Sequence, residues 1–231
     1  MLSGYRNIVV LTGAGISHSA GLPTYRGPGG LWTDPKLAAL TDARSLLDRR
    51  TEVTDLFWTF REAIAGVAPT PAHRALAAFE AALPAGAHFT IITQNIDGLH
   101  QAAGSQQVCE YHGSLVRWRC EVCGTESSPP SGAAPEHCGA RMRPCVVMFG
   151  EMIPVLAERT AKHALRDCDL FVAIGTSGMV APASSFVSWA RLNHARRILL
   201  NLEIYDGARE LFDECQAGPA DELVPRWFAT A

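Results

Sequence analysis

The sequence predicts an α/β fold: a parallel sheet wrapped on both faces by helices, with a smaller module inserted in it. Three observations lead there. Short apolar runs at 8–11, 89–92, 170–174 and 197–200 alternate with helical patterns, as strands buried on both faces do. Each strand ends in small or polar residues, and a further strand ends at His112. Those residues are Gly13 and Ser17, Asn95 and Asp97, Thr176 and Ser177, and Asn201 and Glu203. Open α/β sheets bind ligands just past the carboxyl ends of their strands. Third, residues 115–145 change composition, with a Cys-x-x-Cys followed by a polar Ser/Pro/Gly segment.

Composition sets the outer bounds. A chain of 231 residues with 48% hydrophobic content can build one large core and a small insert. A net charge of -3 gives no electrostatic reason to expect nucleic acid. No apolar run reaches the length of a membrane span, and residues 1–6 lack the charged start of a secretory signal. Seven cysteines, an odd number, argue against a disulfide framework and for reduced thiols, so a cytoplasmic protein is expected.

The first strand runs into Gly13-Ala14-Gly15-Ile16-Ser17. A strand entering a Gly-rich turn is how dinucleotide-binding units begin. The glycines are expected to admit a pyrophosphate, and the next helix to offer it free N–H groups. His18 replaces the third glycine of the usual pattern, and no acidic residue stands at the end of a second strand. An ordinary hydride-transferring dehydrogenase is therefore disfavoured. Residues 21–32 are too rich in Gly and Pro for regular structure. They carry Tyr25, Arg26 and Trp32, suited to stacking, phosphate pairing and packing, so a loop closing over a ligand is expected, the alternative being a surface loop with two anchoring aromatics.

Helices are expected at 42–50, 54–64 and 72–82, the last started by Pro69-Thr70-Pro71. Phe57, Trp58 and Phe60 either line an apolar channel or pack in a core. The stretch from Thr93 to His100 (Thr-Gln-Asn-Ile-Asp-Gly-Leu-His), with Tyr111-His112-Gly113, gathers amide, carboxylate and imidazole groups at two strand ends. Cys120-Glu121-Val122-Cys123-Gly124 reads as a zinc-knuckle turn. Cys138-Gly139 is half of a second knuckle, with Pro135 where its partner cysteine would stand. Three thiolates leave a closed zinc site one ligand short; His137 and Cys145 are the candidates for the fourth. The alternative is a module without metal, its thiols packed as small apolar side chains. After an extended stretch at 143–151, a helix at 155–165, a strand at 170–174, a helix at 183–192 and a strand at 197–200 complete the α/β pattern.

Taken in order, these blocks resemble the sirtuin family of NAD-dependent protein lysine deacylases, closest to the branch with Gly-Leu-Pro-Thr-Tyr-Arg at 21–26. The resemblance also rests on Gly13–Ser17, Thr93–Asp97, His112-Gly113, the knuckle and Arg143-Pro144 with Phe149-Gly150-Glu151. Gly175-Thr176-Ser177 and Asn201-Leu202-Glu203 complete it. It implies a Rossmann-like NAD-binding domain of 1–32, 86–115 and 146–231. A small domain would combine a helical and cofactor-loop insert, 33–85, with a zinc-ribbon-like module, 116–145.

Residue by residue, the resemblance implies that Gly13, Ala14, Gly15 and Ser17 line the phosphates and ribose. Thr24, Tyr25, Arg26 and Trp32 would belong to the cofactor loop, and Gln94, Asn95 and Asp97 would surround the nicotinamide. Gly175, Thr176, Ser177, Asn201 and Glu203 would hold the adenosine half. Asn95 and Asp97 would assist His112, the general base, whose unperturbed pKa of about 6.5 suits that role. Val147, Phe149, Gly150 and Glu151 would pair with an acyl-lysine peptide as an added strand. Cys120, Cys123 and Cys138 would hold a structural zinc remote from the chemistry.

The reaction so implied cleaves the nicotinamide–ribose bond and, consuming one water, moves the acyl group from lysine to ADP-ribose and frees the lysine. The branch often reads acidic acyl groups with a Tyr-x-x-Arg pair. Here Phe57 and Phe60 fall on those positions, or Trp58 and Arg61 one residue later. Deacetylase or apolar-acyl activity is therefore expected over desuccinylase or demalonylase activity. Protein mono-ADP-ribosyl transfer and a non-catalytic NAD sensor are the alternatives; an intact His112 weighs against the first, and the presence of His112, Asn95 and Asp97 against the second. No oligomer is predicted.

Overall fold

The computed structural model describes residues 2, 4–22, 34–178 and 180–229. The cofactor-loop residues Thr24, Tyr25, Arg26 and Trp32 lie outside them. The chain opens with β1 (Asn7–Thr12), a 3-10 turn (Ala14–Ala20), α1 (Pro35–Leu40), α2 (Ser45–Asp48), α3 (Arg50–Ile64) and α4 (Pro71–Ala81). β2 (His88–Thr93), α5 (Leu99–Ala102) and β3 (Val108–Glu110) follow. Then come β4 (Gly113–Arg119), β5 (Glu126–Ser127), β6 (Glu136–His137), β7 (Ala140–Arg141) and β8 (Arg143–Val146). The last third holds α6 (Val155–Arg166), β9 (Leu170–Ile174), α7 (Phe186–Leu192), β10 (Arg196–Asn201), α8 (Ala208–Leu211), β11 (Glu214–Ala217) and α9 (Ala220–Trp227).

Six of these strands form one sheet in the order β11-β10-β9-β1-β2-β3, every neighbouring pair parallel. This is the Rossmann-like α/β arrangement. The winding reverses between β1 and β9, so a crevice opens beyond their carboxyl ends, where such sheets bind ligands. Register brings Thr12 level with both Thr93 and Ile174. Alternate side chains feed two cores. Val9, Leu11, Phe171, Ala173 and Leu199 pack under α6 and α7. Ile8, Val10, Ile91, Val172 and Leu200 pack under α4 and α9.

A third core belongs to the small module. Val53, Phe57 and Trp58 of α3 meet Leu115, Trp118, Cys120, Met142 and Met148. Trp58 stands edge-on to Trp118 at 5.2 Å. α4 is not part of this module: Ala72 and Leu76 are buried in the sheet core, and Thr70 caps the helix with His73 in a reciprocal capping box. The segment packed on the sheet therefore starts near Thr70, ahead of the boundary expected at 85.

Two helix expectations are corrected. The stretch 42–50 is a four-residue α2, cut from α3 by Arg49 at φ -124°, ψ 32°. α1, capped by the Asp34 carboxylate with Pro35 in its first turn, lacked the apolar periodicity that reveals longer helices. The stretch 183–192 divides into a 3-10 turn (Ala183–Ser185) and α7.

Candidate active site

The crevice beyond β1 and β9 is a cavity of about 820 Å³. Its wall collects the expected Gly13, Ala14, Gly15, Gln94, Asn95 and His112. From later strands come Gly175, Thr176, Ser177, Asn201 and Glu203, and at its apolar end Phe57, Phe60, Val147, Phe149, Gly150 and Glu151. Ser17 and Asp97 line a smaller pocket of about 80 Å³ that shares Ala14, Phe60, Asn95 and Ile96 with the large one. Ile153, Val180 and Pro182 also line the large cavity; as plain apolar residues in loops they carried no sequence signal.

The glycines of the first turn also let two backbones meet. A Cβ on Gly13 would lie 2.7 Å from the Gly175 carbonyl oxygen, and one on Gly15 would lie 2.7 Å from Gly175 Cα. Gly175 itself has φ +58°, and its Cβ would meet Ile16 N at 2.6 Å. The turns after β1 and β9 thus interlock, joined by Gly15 N–H donating to Gly175 O at 2.9 Å. The N–H groups of Gly13 and Ile16 are also occupied, by Ile174 O and Gly13 O. The glycines bring two backbones together, and these donors are not held open for a phosphate.

Around Asn95 the polar groups form a fixed network. Its Nδ2 donates to Gly13 O and to Ser17 Oγ, both at 3.1 Å. Ser17 Oγ in turn donates to Asp97 Oδ2 at 2.7 Å, while Asp97 Oδ1 accepts Leu99 N–H at 3.0 Å. Asn95 Oδ1 is buried without a hydrogen-bond partner among the described residues. A buried orphan acceptor carries a desolvation penalty, which a hydroxyl of a bound ribose, or a water, would relieve. Behind this layer Thr12 Oγ donates to Thr93 Oγ, which accepts Asn95 N–H. His100 Nε2 bonds Thr12 Oγ at 2.9 Å, and the His73 ring stands edge-on to His100 at 4.6 Å. The sequence reading missed this buried histidine pair, because neither ring reaches the cavity wall.

His112 has one fixed tautomer. Its Nδ1 lies 3.1 Å from Gln94 O. Only a protonated Nδ1 can bond a carbonyl oxygen, so Nε2 keeps its lone pair. Burial lowers the His112 pKa, and the Gln94 bond only partly opposes that. Gln94 is held by Thr176 Oγ at 3.0 Å. Asn201 Nδ2 reaches Thr176 O and Glu203 O, closing the far end of the cavity.

The structure settles which face of α3 meets the cavity. Phe57 and Phe60 line it. Trp58 Nε1 donates to Gly132 O, and Arg61 donates to Pro129 O and Ser131 Oγ, so both face the 127–135 segment instead.

The expected peptide edge is partly occupied. Phe149 N–H donates to Thr41 O and Phe149 O accepts Ala43 N–H. Met148 N–H bonds the Glu151 carboxylate, and Met148 O accepts Glu151 N–H. Val147 N–H goes to His112 O. Among the described residues, the Val147 carbonyl and Gly150 are what this edge retains for pairing.

The small module holds a compact donor cluster. One ligand atom from each of Cys120, Cys123, His137 and Cys138 lies within 4.8 Å of the others. His137 Nδ1 is 3.3 Å from Cys123 Sγ and 3.2 Å from Cys138 Sγ. Tetrahedral Zn–S and Zn–N bonds of about 2.3 and 2.0 Å require ligand separations of roughly 3.5–3.8 Å, so the four fit a structural zinc. β6 and β7 pair tightly through Cys138 (φ +51°) and Gly139 (φ +74°), the left-handed pair of a two-residue hairpin turn. That turn lets adjacent His137 and Cys138 face one centre. Cys145 lies on β8 opposite Ser114 and is not the fourth ligand.

The chain's likeness to known proteins covers nearly all of it. A sequence model of the Sir2 family matches residues 13–182. NAD-dependent protein deacylase 1 of Pseudomonas aeruginosa is 37% identical over 97% of this chain and 94% of its own. A Sir2 homologue solved with NAD superposes with a TM-score of 0.86 at 31% identity, covering 97% of this chain and 89% of that one. A Sir2 protein solved with a deacetylated p53 peptide and 3′-O-acetyl ADP-ribose has a TM-score of 0.83 at 27% identity, with 97% and 93% coverage.

Proposed function

The chain belongs to the Sir2 family, and from that premise we propose that it is an NAD-dependent protein lysine deacylase acting on acetyl and other small apolar acyl groups. NAD is a co-substrate: cleavage of its nicotinamide–ribose bond yields the acceptor for the acyl group. Asn95 orients the ribose through Oδ1, and Asp97, steadied by Ser17, faces the nicotinamide in the smaller pocket. His112 takes a proton at Nε2 from a ribose hydroxyl, so the ribose oxygen can attack the acyl carbon. Gly175, Thr176, Ser177, Asn201 and Glu203 hold the adenosine half, and Gly13, Ala14 and Gly15, small residues on the wall, leave room for the middle. The family resemblance assigns Thr24, Tyr25, Arg26 and Trp32 to NAD binding as well. Cys120, Cys123, Cys138 and His137 hold a zinc that supplies cross-linking of the module and no chemistry at the cavity.

One observation carries the acyl preference. Phe57 and Phe60 face the cavity while the Arg61 guanidinium is bound elsewhere. Among the described residues, the wall carries no Lys or Arg. A succinyl carboxylate buried there would stay unpaired, at a cost of several kcal/mol. Mono-ADP-ribosyl transfer would need no base at the ribose hydroxyl, so the unprotonated Nε2 of His112 favours deacylation. An odd count of seven cysteines, three of them on the zinc, fits a reducing, cytoplasmic setting. Among the described residues, no helix is long and apolar enough to cross a membrane.

Matched acetyl-, butyryl- and succinyl-lysine peptides, compared by kcat/KM, test the preference. The acetyl peptide is expected to exceed the succinyl one by a hundredfold or so, equivalent to about 3 kcal/mol. A succinyl peptide turned over as fast as the acetyl one overturns it.

A further inference from the structure

Arg143 is 2% exposed and sits outside the cavity wall, yet it holds one end of the peptide edge. Its Nη1 and Nη2 fork onto the two oxygens of Glu151 at 2.6 and 2.9 Å, and Nη2 also donates to Val146 O at 3.0 Å. Glu151 passes that restraint on, since Oε2 accepts Met148 N–H at 2.9 Å. One guanidinium thereby fixes both ends of 146–151, the segment that includes Val147 and Gly150. Behind Arg143 stands Glu121, between the zinc-ligand cysteines. It lies 3.7 Å from Arg143 Nη1 and is paired at 2.5 Å with Arg50 at the start of α3. The chain Arg50–Glu121–Arg143–Glu151 thus ties the helical insert and the knuckle to the edge. Burial alone would raise the Glu151 pKa, but the Arg143 bond, the Met148 N–H and the nearby arginine charges together lower it. A paired, ionised carboxylate at this position resists being pulled away.

We propose that Arg143 is a positioning residue for the acyl-lysine substrate. Through Glu151 it holds the 147–150 edge in the geometry that accepts the peptide, and it makes no contribution to NAD binding. This rests on the reading of that edge as the peptide site. The planar fork matters, since a lysine at 143 keeps the charge but cannot bond both oxygens in parallel.

The test compares wild type with Arg143→Lys and Glu151→Gln, two substitutions milder than truncation, which would strand a buried charge. KM for an acetyl-lysine peptide, KM for NAD and kcat are measured separately. Hydrogen exchange is followed at the Met148 amide and at β1. Arg143→Lys is expected to raise peptide KM by roughly tenfold, with NAD KM and kcat within about twofold, and Glu151→Gln, itself on the edge, to raise peptide KM at least as much. Met148 should exchange faster while β1 does not. The double variant should be no worse than the poorer single one, because both break the same link. Parallel rises in peptide and NAD KM with faster exchange in β1 would mean a general structural role and overturn the proposal. So would an unchanged peptide KM in an active enzyme. A wild type that turns over no acyl-peptide would instead sink the deacylase reading itself.

Discussion

At His112 the acid–base assignment follows from one hydrogen bond and one burial effect. The Gln94 carbonyl fixes the proton on Nδ1, and burial keeps the ring neutral below its ordinary pKa of 6.5. The reactive form is the neutral one, so activity is retained as pH falls through 6.5. The acid limb of kcat/KM is predicted below that value, and a limb above 6.5 would contradict the assignment. His112→Ala should lower kcat by roughly 10²–10⁴-fold. Gly175 gives a second residue-scale prediction. Gly175→Ala combines a positive φ with a 2.6 Å approach to Ile16 N. It should destabilise the fold by about 2 kcal/mol or more, read as a lower urea midpoint; an unchanged midpoint would refute the interlock. His112, Asn95 and Asp97 stood out in the sequence because they are polar residues at strand ends. The interlock of the glycines did not, because a close approach between residues 15 and 175 is long-range and leaves no local pattern. Arg143 was visible only as part of a motif, because its fork onto Glu151 depends on the turn at 148–151.

Individual elements carry their own tests. The β6–β7 turn makes His137 the fourth donor. His137→Ala should speed zinc release to a colorimetric chelator and lower the bound stoichiometry at limiting metal. Zinc held as tightly as in wild type would point to another ligand. Sequence spacing left His137 and Cys145 as candidates and counted adjacency to Cys138 against His137; the left-handed backbone at Cys138 and Gly139 is what turns the two adjacent side chains to one centre. The α4–α5 contact predicts a pH effect. Burial lowers the His73 pKa from 6.5 to about 4, and that of His100 well below its usual value, again chiefly through burial. The unfolded chain protonates both rings at a higher pH than the folded one does. Stability is therefore complete above about pH 6.5 and is lost as pH falls through 4. Replacing His100 by Gln, which can still bond Thr12, should flatten that decline in urea unfolding series between pH 7 and 4; an equally steep decline would exclude the pair as its source. Long apolar strands and α3, α4 and α6 were readable from periodicity. Short α1, and the edge pair β11 and α9, were not, since few of their positions are fully buried, and α2 was legible only as part of a longer helix.

The whole molecule places its chemistry by topology. Reversal of winding between β1 and β9 opens the crevice, and the third hydrophobic core sets α3 and the zinc module across from it. The sequence made the α/β class legible because every strand buried on both faces is apolar throughout. The division between modules was less legible, since α4 has the same amphipathic pattern as an insert helix. Only packing showed that it covers the sheet. Removing zinc should loosen the module before the sheet. Hydrogen exchange after chelation is predicted to rise across 115–148 and along α3 while β1, β2 and β9 keep their protection; uniform loss would mean a single cooperative unit. The central claim is that this cavity moves an acyl group from lysine to ADP-ribose, and product analysis tests it most directly. An acetyl-lysine peptide is incubated with NAD and either wild type or His112→Ala, and all products are identified by mass spectrometry. The account predicts equal amounts of free lysine peptide, nicotinamide and acetylated ADP-ribose from wild type, and almost none of them from the variant. Nicotinamide release with the peptide still acetylated and ADP-ribose attached to protein would contradict it.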